Sequence, residues 1–153
     1  MRLLTSPLLA LALSTASIAA EPPVSGVYRG NGKDAKLAYA VAVPHEDFNG
    51  KHAITIVLTE QPPKTTGDPS ISARFGKYGS ALVVSILENG SVFGCEVAHQ
   101  ALRHAGASSI GKLSAENFKW ANGQVSAHLT THGKASLFDE SWEVDLTFKA
   151  PQP

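Results

Sequence analysis

Apolar and polar positions alternate with a period of two through most of the chain beyond residue 23. The clearest case is Glu140–Lys149, where Trp142, Val144, Leu146 and Phe148 alternate with Glu143, Asp145, Thr147 and Lys149. Such a pattern predicts a strand with one buried and one wet face, because successive side chains on a strand point to opposite sides. The same period predicts strands over Val24–Gly30, Ala35–Val43, His52–Thr59, Ser80–Leu87, Ser91–His99 and Gln124–Thr131, with a weaker one at Ile110–Leu113. Leu37, Tyr39, Val41 and Val43 fall on one face of the second. Ile54, Ile56 and Leu58 fall opposite Ala53, Thr55 and Val57 in the third. Helical periodicity is scarce. It is confined to Val97–Ala107, which Gly106 would end, and to a turn at Ser114–Asn117.

Asn-Gly punctuates these runs at Asn31-Gly32, Asn49-Gly50, Asn89-Gly90 and Asn122-Gly123. Both residues accept positive φ, as the two central positions of a type I′ hairpin turn require. The expected fold is an all-β antiparallel meander of about 7–9 strands, either closed into a barrel or folded as a two-sheet sandwich. The linker Glu60–Ser72, with Pro62, Pro63 and Pro69, reads as a long irregular loop. Ser108–Lys112 is a second, small-residue loop.

Residues 1–20 follow another pattern. Arg2 precedes the apolar run Leu3–Leu13, small residues occupy 14–20, and Glu21-Pro22-Pro23 ends the segment. This order is that of a secretory signal peptide, with cleavage expected after Ala19 or Ala20. The run is shorter than the roughly 20 apolar residues of a membrane span. The expected organisation is a signal peptide over 1–20 and one β domain over 21–153, secreted or periplasmic. The short leader and the lack of an internal disulfide point to a bacterial source.

Thirteen Lys and Arg balance 13 Asp and Glu, which removes the basic footprint that nucleic-acid binding requires. The one cysteine, Cys95, cannot form an internal disulfide, and its phase with Phe93 and Val97 reads as a small core residue. No nucleophile elbow or metalloprotease motif occurs, so no catalytic residue and no cofactor is assigned. Six histidines raise metal binding, with Glu96, His99, His104, His128 and His132 as candidate ligands for zinc or copper. His128 and His132 share a strand face, yet an i,i+4 pair on a strand spans about 13 Å, too far for one ion. Glu143 and Asp145 share a face at i,i+2, a spacing compatible with a hydrolase pair and equally with a solvated stripe.

These observations favour a non-catalytic exported domain presenting loops to a protein or glycan partner. Two alternatives remain: a barrel with an internal pocket for a small apolar ligand or metal ion, and a hydrolase built on Glu143/Asp145.

Overall fold

The computed structural model describes residues 21–64 and 66–153, so the signal peptide expected over 1–20 lies outside the described residues. In chain order its elements are β1 (Val24–Gly30), β2 (Lys33–Asp34), β3 (Tyr39–Phe48), β4 (Lys51–Thr59), α1 (Ser70–Arg74), β5 (Ala81–Leu87), β6 (Val92–Ala98), β7 (Ala107–Ser108), β8 (Ser114–Ala121), β9 (Gln124–Thr130), β10 (Ala135–Leu137) and β11 (Glu140–Pro151). One sheet has the order β2-β1-β11-β9-β8, with β10 also pairing β11, and the other the order β3-β4-β5-β6-β7. The pairings are antiparallel, and the two sheets form a sandwich, not a closed barrel.

β11 is the centre of the first sheet. It pairs β1 on one side and β9 on the other, so that Phe148 lies between Val24 and Ala127. Its alternation holds throughout: Trp142, Val144, Leu146, Phe148 and Ala150 are buried. They pack against Ile54, Ile56 and Leu58 of β4, Leu82, Val84 and Ile86 of β5, and Cys95 and Val97 of β6. The interior is therefore filled with side chains from both sheets. The buried Tyr28 hydroxyl crosses it to donate to the Ala81 carbonyl at 2.9 Å.

Several expectations need correction. The Asn31-Gly32 turn does not join β1 to the strand expected at Ala35–Val43; it joins β1 to the two residues of β2, after which the chain changes sheets. Ala35 N–H still donates to Tyr28 in the first sheet (2.8 Å), whereas Ala38 N–H donates to Thr59 in the second (2.9 Å). Leu37 is buried at this crossing, but Tyr39, Val41 and Val43 face outward, and Ala40 and Ala42 meet the main core instead. The outward face stays apolar because α1 covers it. Ala73 is fully buried against Val43, Val57, Ala81, Val83 and Ala98. The Glu60–Ser72 loop thus ends in the helix, whose first residue donates its N–H to Asp68 Oδ1 at 2.8 Å. The segments expected to be helical are not: residues 99–106 form turns, and 114–117 open β8. Ile110–Leu113 is a turn rather than a strand.

All four Asn-Gly pairs reverse the chain, three of them with both residues at positive φ. At Asn89-Gly90 only Gly90 is left-handed (φ 89°). There the loop is Glu88–Gly90, closed by Gly90 N–H to Leu87 O at 2.8 Å and by Asn89 Oδ1 accepting from Ser91 N–H at 3.0 Å. The extra residue goes with the register shift between Ser85 and Ile86.

Because Phe148 fills the interior and neighbouring Thr147 faces solvent, Phe148→Ala should cost about 3–5 kcal/mol in urea unfolding, against less than about 0.5 for Thr147→Ala. Equal losses would mean that both faces of β11 are covered.

Candidate functional site

The inward phase of β11 begins with a charge. Glu140 has the same parity as Trp142 and Val144, and it is only 6% exposed. A buried carboxylate is tolerated only when its oxygens are satisfied. Oε1 accepts from Arg103 N–H at 2.8 Å and from Asn31 Nδ2 at 3.1 Å. Oε2 accepts from Arg103 N–H at 3.1 Å and His104 N–H at 3.3 Å. The Arg103 N–H, then the Asn31 and His104 donors, hold this carboxyl below its ordinary value against the opposing effect of burial.

Asn31 completes the knot. Its backbone N–H donates to Ser141 O at 2.8 Å, its Oδ1 accepts from Ser141 N–H at 3.1 Å, and its Nδ2 also reaches Ala101 O at 3.2 Å. The β1–β2 turn, the 99–106 loop and the start of β11 are thereby fastened together. Arg103 adds an ion pair with Asp139. On the other flank of the loop, Gly106 lies so close to the Arg74 carbonyl that a Cβ would stand 2.7 Å from its oxygen.

This knot presents Phe138. The β10–β11 hairpin reverses through Phe138 and Asp139, and Phe138 holds the first central position at φ 56°. With φ positive there and not at Asp139, the turn has the sign pattern that favours glycine first. A left-handed L-residue costs roughly 1–2 kcal/mol. Phe138 is nonetheless 71% exposed, with the His104 ring centroid 4.8 Å from its own. Exposed Phe75, at the end of α1, lies on the far flank of the same loop.

The five candidate metal ligands do not gather at one point. Glu96 lies on the outer face of the second sheet, 3.5 Å from Arg74, in a groove of about 380 Å³. Burial raises its carboxyl, and Arg74 partly offsets this. His99 is buried edge-on to Tyr28, with Nδ1 accepting from Ala101 N–H at 3.0 Å. Gly30 lies against its ring, where a Cβ would come within 2.6 Å, and Nε2 has no hydrogen-bond partner among the described residues. His104 groups with Asp139 and Glu140, their ligand atoms within 4.8 Å of one another. Arg103 already sits on both carboxylates and opposes a cation there. His128 and His132 share a partner in Glu116, but each faces a different oxygen of its carboxylate, Oε2 at 3.2 Å and Oε1 at 3.3 Å.

The other candidate groups have structural partners. Glu143 lies 3.6 Å from Arg29 and Asp145 lies 2.6 Å from His128. Cys95 is buried, which pushes its thiol up to about 12, so it stays protonated. At the opposite end of β11, half-buried Trp120 lines a cleft of about 670 Å³ between the sheet ends with His45, Asp47, His52, Glu88 and Gln152. Sequence alone marks Asn31 as a turn residue and Glu140 as one of several carboxylates around the last strand, without their joint role, and it misses Phe138 because the β10–β11 reversal has no Gly or Asn. The available signal was a carboxylate in phase with a buried row. Comparison with protein-family models, with curated proteins and with solved structures finds no match for this chain.

The two ionisable imidazoles at opposite extremes of environment give a pH signature. Asp145 chiefly, with Glu116, raises His128 above the ordinary 6.5, whereas burial lowers His99 below it. The His128 contribution to stability is complete below 6.5 and lost as pH rises through its raised native value. The His99 contribution is complete above 6.5 and lost as pH falls through its lowered native value. An NMR titration of the ring protons should place His128 above His99; the reverse order would contradict these environments.

Proposed function

We propose that the protein is a non-catalytic binding domain, acting outside the cytoplasm, that docks a protein partner on the loop end around Phe138. The carrying observation is the exposed Phe138 ring, held at left-handed φ by a turn that buried Glu140 anchors. Strain in an ordinary turn is removed by a Gly. Strain retained under an exposed aromatic side chain is what a contact residue costs. Exposed aromatic groups beside Arg are the side chains that dominate protein interfaces, and Phe138 has Arg103 and His104 beside it. The preorganised loop lowers the ordering cost of association. The non-catalytic reading is supported by the engagement of Glu140, Glu143, Asp145 and Arg103 in ion pairs and by the burial of Cys95.

A second reading rests on the Trp120 cleft. Its aromatic wall flanked by Asp47, Glu88 and Gln152 suits the alternating C–H and O–H faces of a glycan segment.

Phe138→Gly separates fold from binding. Urea unfolding should show unchanged stability or a gain of up to about 1 kcal/mol, because relief of strain outweighs the added chain entropy. A photo-crosslinking residue at 138, expressed in the producing organism, should yield a discrete protein adduct that the same residue at 147 does not. A stability loss above about 2 kcal/mol in Phe138→Gly would make the ring structural. Equal crosslinking at 138 and 147 would move the binding surface elsewhere.

A further inference from the structure

α1 covers only part of the outer face of the second sheet. It seals Val43 and Val57, and beside it runs a groove of about 380 Å³. The floor carries two cross-strand pairs, Thr55–Ser85 and Val83–Glu96. Gly94 extends the first pair into a row of short side chains, and a Cβ there would stand 3.1 Å from the Ser85 Cβ. One wall is Ile71 and Arg74 of α1, and the other is Pro44 and His45 of β3. The second wall is braced from across the sheet. Phe93 of β6 stacks on Phe48 at 4.4 Å between centroids and meets the His45 ring edge-on at 5.1 Å, although β4 and β5 lie between β3 and β6 in the sheet order. The end of the β3–β4 hairpin therefore arches across the sheet and holds His45 against the groove.

Glu96 on this floor contrasts with Glu140. Its side chain is only 25% exposed. Yet the donors in reach are Arg74 Nη1, 3.5 Å from Oε1, and its own backbone N–H. Glu140 has three closer ones. Thr55, 7% exposed, has no partner for its hydroxyl among the described residues. Burial has taken water from both groups, and the chain's own donors and acceptors do not replace it. We propose that the groove binds a neutral glycan, with adjacent sugar hydroxyls bridging Glu96 and Arg74.

The polar groups of the site decide the class of ligand. The Glu96 carboxylate only accepts, Arg74 only donates, and the hydroxyls of Thr55 and Ser85 do either. An ammonium group only donates and would stand against Arg74. A phosphate or carboxylate only accepts and would stand against Glu96, with Glu46 and Asp68 also lining the groove. A sugar hydroxyl donates and accepts at once, so two neighbouring hydroxyls satisfy Glu96 and Arg74 together. The single contact of 3.5 Å between these two side chains leaves their other polar atoms free for that purpose. Val83, Ile71 and Pro44 offer C–H surface to the apolar face of a sugar ring, which gives a partner to Ile71, otherwise 62% exposed. The volume falls in the range of small-ligand sites, about 300–1,000 Å³.

The test is a titration of the whole isotope-labelled chain, followed by amide NMR, with maltotetraose, cellotetraose and N-acetylated chitotetraose, and separately with spermine. At least one sugar should give saturable shifts centred on Val83, Ser85, Glu96 and Arg74, and spermine none. Glu96→Gln should weaken that sugar at least about tenfold, the loss expected for a hydrogen bond to a charged acceptor. Ser85→Val, a change that suits a strand, should fill the floor and abolish binding. Thr147→Ala, on the other sheet, should leave the affinity unchanged. None of these side chains belongs to the Phe138 end, so either reading can fail alone. Binding of none of the three sugars, shifts that centre on Trp120 and Glu88 instead, or an affinity unchanged by Glu96→Gln would each overturn the proposal. Shifts of the groove by spermine and by no sugar would overturn it in favour of a cation site.

Discussion

Both sheets bury their inner faces against the inward row of β11. One strand contributes Trp142, Val144, Leu146 and Phe148 to a single interior and pairs with β1, β9 and β10 along its two edges. Burying such side chains contributes roughly 1.5–3 kcal/mol each. With no disulfide available to Cys95, this burial and the ladders on either side must hold the sheets together. The strand also fixes register. A slip of one residue would turn the whole row to solvent and bring Glu143, Asp145, Thr147 and Lys149 inward.

The same strand connects core to surface. Its inward phase runs back to Glu140, a charge that would be costly in the core. It sits instead at the end of the row, where the backbone of residues 103 and 104 and the amide of Asn31 can satisfy it. The outcome is rigidity in a region with little regular structure. Residues 99–106 have no helix or strand before β7, yet they are pinned through one carboxylate and supported on the far side by α1. The outer phase of β11 supplies Asp145 to the His128 cluster. A single alternation thus places a buried carboxylate and an exposed imidazole–carboxylate cluster on opposite faces of the strand.

Much of this was legible in the chain. Period two identified β4, β5, β9 and β11 and their inward residues, and Asn-Gly located four reversals. What was lost involves contacts between segments distant in sequence. The outward phase of β3 looked like core because α1 covers Val43 and Val57, and a five-residue helix is too short to show periodicity. The crossing at Ala35–Ala38 left no turn signal, since its hydrogen bonds pass from one sheet to the other. The Phe138 turn was hidden because it breaks the local preference for Gly. His128 and His132 looked too far apart on an ideal strand, and only the left-handed backbone at His132 brings both to Glu116. Glu140 was in phase with the buried row throughout, and its significance needed the partners that fold around it.

Two sheets share one interior organised by β11. Native-state amide hydrogen exchange across a series of low urea concentrations probes that shared interior. Hydrogen-bonded amides of β11 between Trp142 and Phe148, of β9 and of β4 should merge into one opening with the free energy and urea dependence of global unfolding. Those of edge strand β8 should open at lower free energy. Exchange of β11 at a free energy below that of β8, or two sheets that open with separate urea dependences, would mean that the sheets do not share one interior.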